Sequence, residues 1–140
     1  MRIGFAVGWF PEQEWAKALE RWPELAEEMP REYDGYVREV QQRLLRFPAP
    51  PGMRLFTTPL DVDGLVAHAE AHAEAGGEGD PGSSDARGQY AAELLRAGKG
   101  EPWPPARNAR CWCGSGRKYK VCCALVSAEP APAGDTGVHD

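Results

Sequence analysis

The sequence predicts an α+β fold, or a small α/β one, mostly helical with two short strands and a compact cysteine module near its C-terminal end. Three features carry this reading. Residues 2–9 alternate apolar and small side chains, apolar stripes at helical spacing fill most of residues 11–98, and all four cysteines fall within 13 residues. Alternation is the period of a strand and a three-to-four spacing is that of a helix.

Ile3, Phe5, Val7 and Trp9 point to one face of the first strand, and Gly4, Ala6 and Gly8 to the other. The small face allows close approach of another element. Pro11 is suited to open a helix, along which Trp15, Ala18, Leu19 and Trp22 recur. Pro23 interrupts it, so residues 23–29 form either a kinked continuation or a separate turn. After Pro30 a longer helix carries Tyr33, Tyr36, Val37, Val40, Leu44 and Phe47, and the prolines at 48, 50 and 51 stop it. Residues 53–58 read as the second strand. Asp61 caps a helix running to about residue 75, buried along Leu65, Val66 and Ala69. Residues 76–83 are a glycine-rich flexible loop. A last helix starts at Ser84 or Asp85, turns Tyr90, Ala91, Leu94 and Leu95 inward and closes at Gly98. The two strands, separated by about forty residues, can pair in parallel through a crossover. The resulting division is an N-terminal domain over 1–98, a proline-rich linker over 99–106, the cysteine module over 107–123 and a disordered tail over 124–140.

Charge separates these parts. Of 140 residues the formal balance is −5, yet residues 1–100 hold 11 basic and 17 acidic side chains. Five cations, Arg107, Arg110, Arg117, Lys118 and Lys120, cluster in a stretch with no acid. No secretory signal is visible, and no apolar run approaches the roughly 20 residues a membrane helix needs. The expectation is a cytoplasmic protein whose thiols stay reduced, so the cysteines read as metal ligands rather than disulfides.

Cys111-Trp112-Cys113, an eight-residue gap and Cys122-Cys123 supply four thiolates. Zn²⁺ accepts such a set tetrahedrally, in a closed structural knuckle. Gly114-Ser115-Gly116 lets the chain turn beneath the metal, and Arg117–Val121 can form one helical turn. Four thiolates around Zn²⁺ leave a charge of −2, which the nearby cations offset. With almost no apolar core of its own, the module depends on the metal for its folding. Residues 1–98 should not.

Arg107-Asn108 followed by Cys-Trp-Cys-Gly-Ser-Gly-Arg-Lys-Tyr-Lys-Val-Cys-Cys resembles the SEC-C motif, the zinc module at the C-terminus of the SecA translocation ATPase. The layout is also similar to that of small bacterial SEC-C proteins. The resemblance implies that Cys111, Cys113, Cys122 and Cys123 bind the metal, with Gly114, Ser115, Gly116, Lys118, Tyr119 and Lys120 as scaffold. It covers about seventeen residues. Ala109-Arg110 stands where the motif has Asp-Pro, Trp112 where it has Pro, and Cys123 takes the motif's Cys option over His. None of these removes a ligand, but they alter the surface. In SecA-like proteins the module docks a chaperone, an anionic lipid surface or the ribosome. The motor itself is excluded, because no phosphate-binding Gly-x-x-x-x-Gly-Lys-Ser/Thr loop is present.

Other signals have plainer explanations. His68 and His72 share a helical face but lack a third ligand, and Asp61 and Asp63 fit a helix start. No nucleophile and base can be paired in residues 1–100, so a catalyst is not expected. The function read from the sequence is a zinc-stabilised binding or adaptor protein for a protein or ribosome/RNA partner. Trp112, Arg117, Lys118, Tyr119 and Lys120 form its cationic, aromatic contact surface. Two alternatives are a thiol redox or metal-relay protein using the same cysteines, and an enzyme with a site in the N-terminal domain.

Overall fold

A computed structural model of the chain describes residues 4–47, 51–74 and 82–126. The expected loop over 76–83 falls largely outside these residues, as does the tail beyond 126. The order is β1 (Gly4–Trp9), α1 (Glu12–Arg21), α2 (Leu25–Glu28), α3 (Tyr33–Arg46), β2 (Arg54–Pro59), α4 (Val62–Glu74), α5 (Ser84–Arg96) and β3 (Glu101–Trp103). Two 3-10 turns, Tyr119–Val121 and Cys123–Leu125, follow in the cysteine module. The fold is α+β.

β1 and β2 pair in parallel, with Gly4 opposite Arg54 and Trp9 opposite Pro59. The small face of β1 has a specific use. A Cβ at Gly8 would come within 2.9 Å of the Leu60 methyls, and Leu60 is almost fully buried. α5 packs over β1 and β2, and α4 packs against α5. Proline 23 separates α1 from α2 rather than kinking one helix.

Capping follows local chemistry. Ser83 Oγ accepts from the Ala86 amide and opens α5. At its other end Gly98, at φ +82, lets Gly98 and Lys99 donate to the carbonyls of Leu95 and Leu94. That is the six-to-one, five-to-two pattern of a Schellman cap. Asp61 Oδ2 accepts from the Gly64 amide and Oδ1 from the Tyr90 hydroxyl at 2.6 Å. Glu14 of α1 accepts the Val62 amide, so one carboxylate ties α1 to the start of α4.

Two expectations about the C-terminal third are corrected. Residues 99–106 do not act only as a linker: β3 lies within them and pairs antiparallel with β2, Leu55 opposite Trp103 and Thr57 opposite Glu101. Strand order is β1-β2-β3, which makes β3 an outer strand. There Pro102, lacking an N–H, need not interrupt the ladder. The sheet thus has three strands rather than two. Residues 124 and 125, assigned to the tail, sit in the second 3-10 turn.

The core is continuous across the expected boundary. Trp9, Trp15, Tyr36, Val40, Leu44 and Leu65 belong to the same buried cluster as Cys111, Trp112, Cys113, Tyr119 and Cys123. The cysteine module is docked, not suspended. No helix among the described residues is long and apolar enough to cross a membrane.

Candidate metal centre

The site is built on a tight hairpin. Arg110 bridges Lys118, the Cys111 amide donates to the Arg117 carbonyl at 2.8 Å, and the Tyr119 amide donates to the Ala109 carbonyl at 2.8 Å. The turn between the arms needs Gly114 at φ +84 and Gly116 at φ +86, a region that side chains with a Cβ rarely enter. Cys111 and Cys113 therefore leave one arm on the same side. The 3-10 turn Tyr119–Val121 then brings Cys122 and Cys123 opposite them.

All four sulfurs lie within 4.8 Å of one another. Four sulfurs at about 2.3 Å from one tetrahedral ion would stand about 3.8 Å apart. Cys113 and Cys122 Sγ are separated by 3.6 Å, so the donor set fits a single thiolate-bound metal ion. Cys111, Cys113 and Cys123 are buried, and Cys122 is half-buried.

Around the sulfurs sits a partial polar shell. Ser115 Oγ lies 3.3 Å from Cys122 Sγ, and the Arg117 guanidinium lies 3.6 Å from it. The hydrogen bond to Cys122 raises the Arg117 pKa. The thiols also shift one another's acidity. Hydrogen bonds from Cys111 and Cys123 hold Cys113 far below the ordinary thiol range, and bonding to Cys111 and Cys113 holds Cys123 far above it. Cys111 is pushed up to about 11 by its bond to Cys113. A metal ion would displace the thiol protons and make all four groups thiolates.

The residues expected to form a contact surface divide into two sets. Arg107, Arg110, Arg117 and Lys118 are exposed and Lys120 is half-buried. Trp112 and Tyr119, in contrast, are turned inward at 4% and 7% exposure, so the module presents neither aromatic ring to a partner. Trp112 packs edge-on against Trp9, ring centres 5.2 Å apart.

What receives the two rings is Gln41 of α3, 1% exposed. Its Oε1 accepts from Trp112 Nε1 at 2.9 Å and from Trp103 Nε1 at 3.3 Å, while its Nε2 donates to the Tyr119 hydroxyl at 2.8 Å. Sequence reading missed this residue. The available signal was a glutamine four residues after Val37 and three before Leu44, on an otherwise apolar stripe.

A cleft of about 840 Å³ runs between the hairpin and the α1–α3 side, lined by Trp9, Tyr33, Arg38, Ser115, Arg117 and Cys122 among others. Elsewhere, His68 packs near Tyr90, ring centres 5.5 Å apart, and among the described residues no third ligand joins it and His72.

The SEC-C motif model matches residues 107–125, which include every residue of this hairpin and its four sulfurs. The chain thus carries a SEC-C motif with four cysteine sulfurs clustered at metal-binding distance. No curated protein and no solved structure matches the chain.

Proposed function

We propose that the chain is a zinc-binding adaptor in which Cys111, Cys113, Cys122 and Cys123 hold one structural Zn²⁺ and the surrounding cations dock an acidic protein surface. The observation that supports this most is the pairing of four convergent sulfurs with outward-facing Arg107, Arg110 and Lys118. When bound, the metal supplies charge to draw the thiolates together and free energy to fold the hairpin. The chain's own residues do the rest. The glycine turn sets the angle between the arms, Ser115 and Arg117 donate towards Cys122, and Arg107, Arg110 and Lys118 face solvent. No catalysed reaction forms part of this reading.

An acidic protein surface fits better than RNA for two reasons. Both aromatic rings that would stack on unpaired bases are buried. The body of the chain is acidic and would repel an extended polyanion. Metal content of protein purified without added zinc tests the first half of the proposal, with one zinc per chain expected. Capture of partners by the zinc-loaded chain, repeated with Arg107, Arg110 and Lys118 changed to Ala, tests the second. These three leave the sulfurs untouched, so capture should weaken in the variant and with rising salt while zinc is retained. Unchanged capture by the variant, or capture of RNA alone, would overturn the acidic-protein assignment.

Cys122, half-buried beside the cleft, supports a second reading as a thiol redox or metal-relay site. Dilute peroxide would then take two electrons from Cys113 and Cys122, be reduced to water, and leave a disulfide with zinc released. Zinc retained through such treatment excludes it.

A further inference from the structure

We infer that Gln41 is a positioning residue for the metal centre, holding the ligand-bearing hairpin in its binding geometry from a helix about seventy residues away in sequence. The inference rests on the metal reading above and adds to it a residue outside the SEC-C motif.

The argument begins with what each partner of Gln41 is attached to. Trp112 lies between two metal ligands, Cys111 and Cys113, so fixing its indole fixes the backbone from which both sulfurs project. Tyr119 is in the opposite arm, and its carbonyl accepts the Cys122 amide at 3.0 Å. Its hydroxyl is held by Gln41 Nε2 at 2.8 Å. One amide side chain therefore grips both arms of the hairpin at once. Trp103, the last residue of β3, is the third group on it, which ties the strand entering the module to the same point.

Gln41 is nearly saturated by these contacts. Both acceptor positions of Oε1 and one N–H of Nε2 are used. Gln41, Trp112 and Tyr119 are buried and Trp103 is half-buried. Removing the amide therefore leaves the Trp112 indole N–H and the Tyr119 hydroxyl without their partner away from solvent, and the Trp103 N–H without it nearer the surface. A hairpin with little apolar core must otherwise be ordered by the metal alone. Ordering it beforehand reduces the share of metal-binding free energy spent on organising the chain. Groups that orient ligands in this way typically change metal affinity by about 10–100-fold when removed. Coupling is reciprocal, so the bound metal should in turn protect the middle of α3.

The test uses the full chain and Zn²⁺, with affinity read by competition against a chromophoric chelator. Gln41→Met keeps a chain of similar length and removes all three hydrogen bonds. Its zinc affinity should fall by about 10–100-fold. Trp112→Phe keeps a ring against Trp9 and removes one bond, with a fall of about 5–10-fold expected. The double variant should lose little more than Gln41→Met alone, because both act through one contact. Cobalt-loaded Gln41→Met should keep the four-sulfur absorption spectrum, showing ligands retained but held less tightly. Unchanged zinc affinity in Gln41→Met, with only its thermal midpoint lowered, would mean a merely structural role and overturn the inference. Should Gln41→Met fail to fold, Trp112→Phe decides, and unchanged affinity there also overturns it. A wild-type chain that binds no zinc would instead overturn the metal reading itself.

Discussion

The two ends of the molecule are held together by different physics, and α3 touches both. In its first turns Tyr33 donates to the Phe10 carbonyl and Tyr36 accepts the Phe10 amide, 2.9 and 2.8 Å respectively. These bonds finish β1, beside the apolar side chains of Trp15, Val40, Leu44 and Leu65. Burial raises both phenols, Tyr36 to about 12, and Tyr33 higher still. Two turns later Gln41 performs the corresponding service for the hairpin. There it holds a segment whose buried residues are three cysteines, a tryptophan and a tyrosine. The first region buries chiefly apolar side chains. The second is tied to its neighbour by polar contacts and, on the zinc reading proposed above, would draw the rest of its stability from the metal. Loss of the metal should therefore be felt unevenly.

Metal removal has the largest expected effect. Chelation should abolish hydrogen-exchange protection at the Cys111, Tyr119 and Cys122 amides and shift Trp112 fluorescence to the red. The β1 and β2 amides should keep most of their protection, while the middle of α3 loses some. The sequence-based expectation is that residues 1–98 stay folded and nearly unmoved; a partial loss in α3 is added to it because Trp9 and Gln41 contact the hairpin. Equal loss throughout would show one cooperative unit and dissolve the contrast between the regions. Mild acid should act like a chelator, since protons compete for the sulfurs.

A cut in the apolar region comes next. Leu65 is fully buried, and Leu65→Ala should lower unfolding free energy by about 2–5 kcal/mol in denaturant titration. Zinc stoichiometry at temperatures where the variant stays folded should remain one per chain. Metal loss in that variant would show that the hairpin depends on the whole core, not on Gln41 and Trp9 alone.

A smaller effect is expected at the start of α4. Burial opposes ionisation of Asp61, but hydrogen bonds from Tyr90 and Gly64 outweigh it and lower its pKa. Its contribution is therefore present above the unfolded carboxylate pKa and is lost as pH falls through the lower folded value. Asp61→Ala should cost about 1 kcal/mol at neutral pH and progressively less in acid. Because the site is largely solvated, the pH-dependent part should be only a fraction of this. A cost that persists unchanged at low pH would point to packing rather than the cap.

The smallest change is on the exposed face of α3. Arg43 and Glu39 pair at 3.0 Å, four residues apart, and Arg43→Ala should cost no more than about 0.5 kcal/mol. It lies two residues from Gln41, so unchanged zinc affinity in this variant would show that the coupling runs through the buried amide and not through the helix at large.

Local order in the chain was sufficient for β1, the four longer helices, the Asp61 and Gly98 ends and the clustering of the four cysteines, while Pro23 left open whether α2 continues α1. Alternation, three-to-four spacing, Asp61, Gly98 and the Cys-x-Cys…Cys-Cys spacing each act over a few residues, and the preferences they express were met by the fold. Ser83, read as loop, emerged as the cap of α5 only in the structure. What tertiary structure decided is the fate of residues able to go either way. Pro102 and Trp103 read as linker until β2 offers an outer edge for them. Trp112 and Tyr119 each have an apolar body and a polar tip, so solvent or a polar pocket suits them equally. Only the arrival of Gln41 from α3, with Trp9 beside it, turns both rings inward, and that pairing spans about seventy residues that no local pattern records.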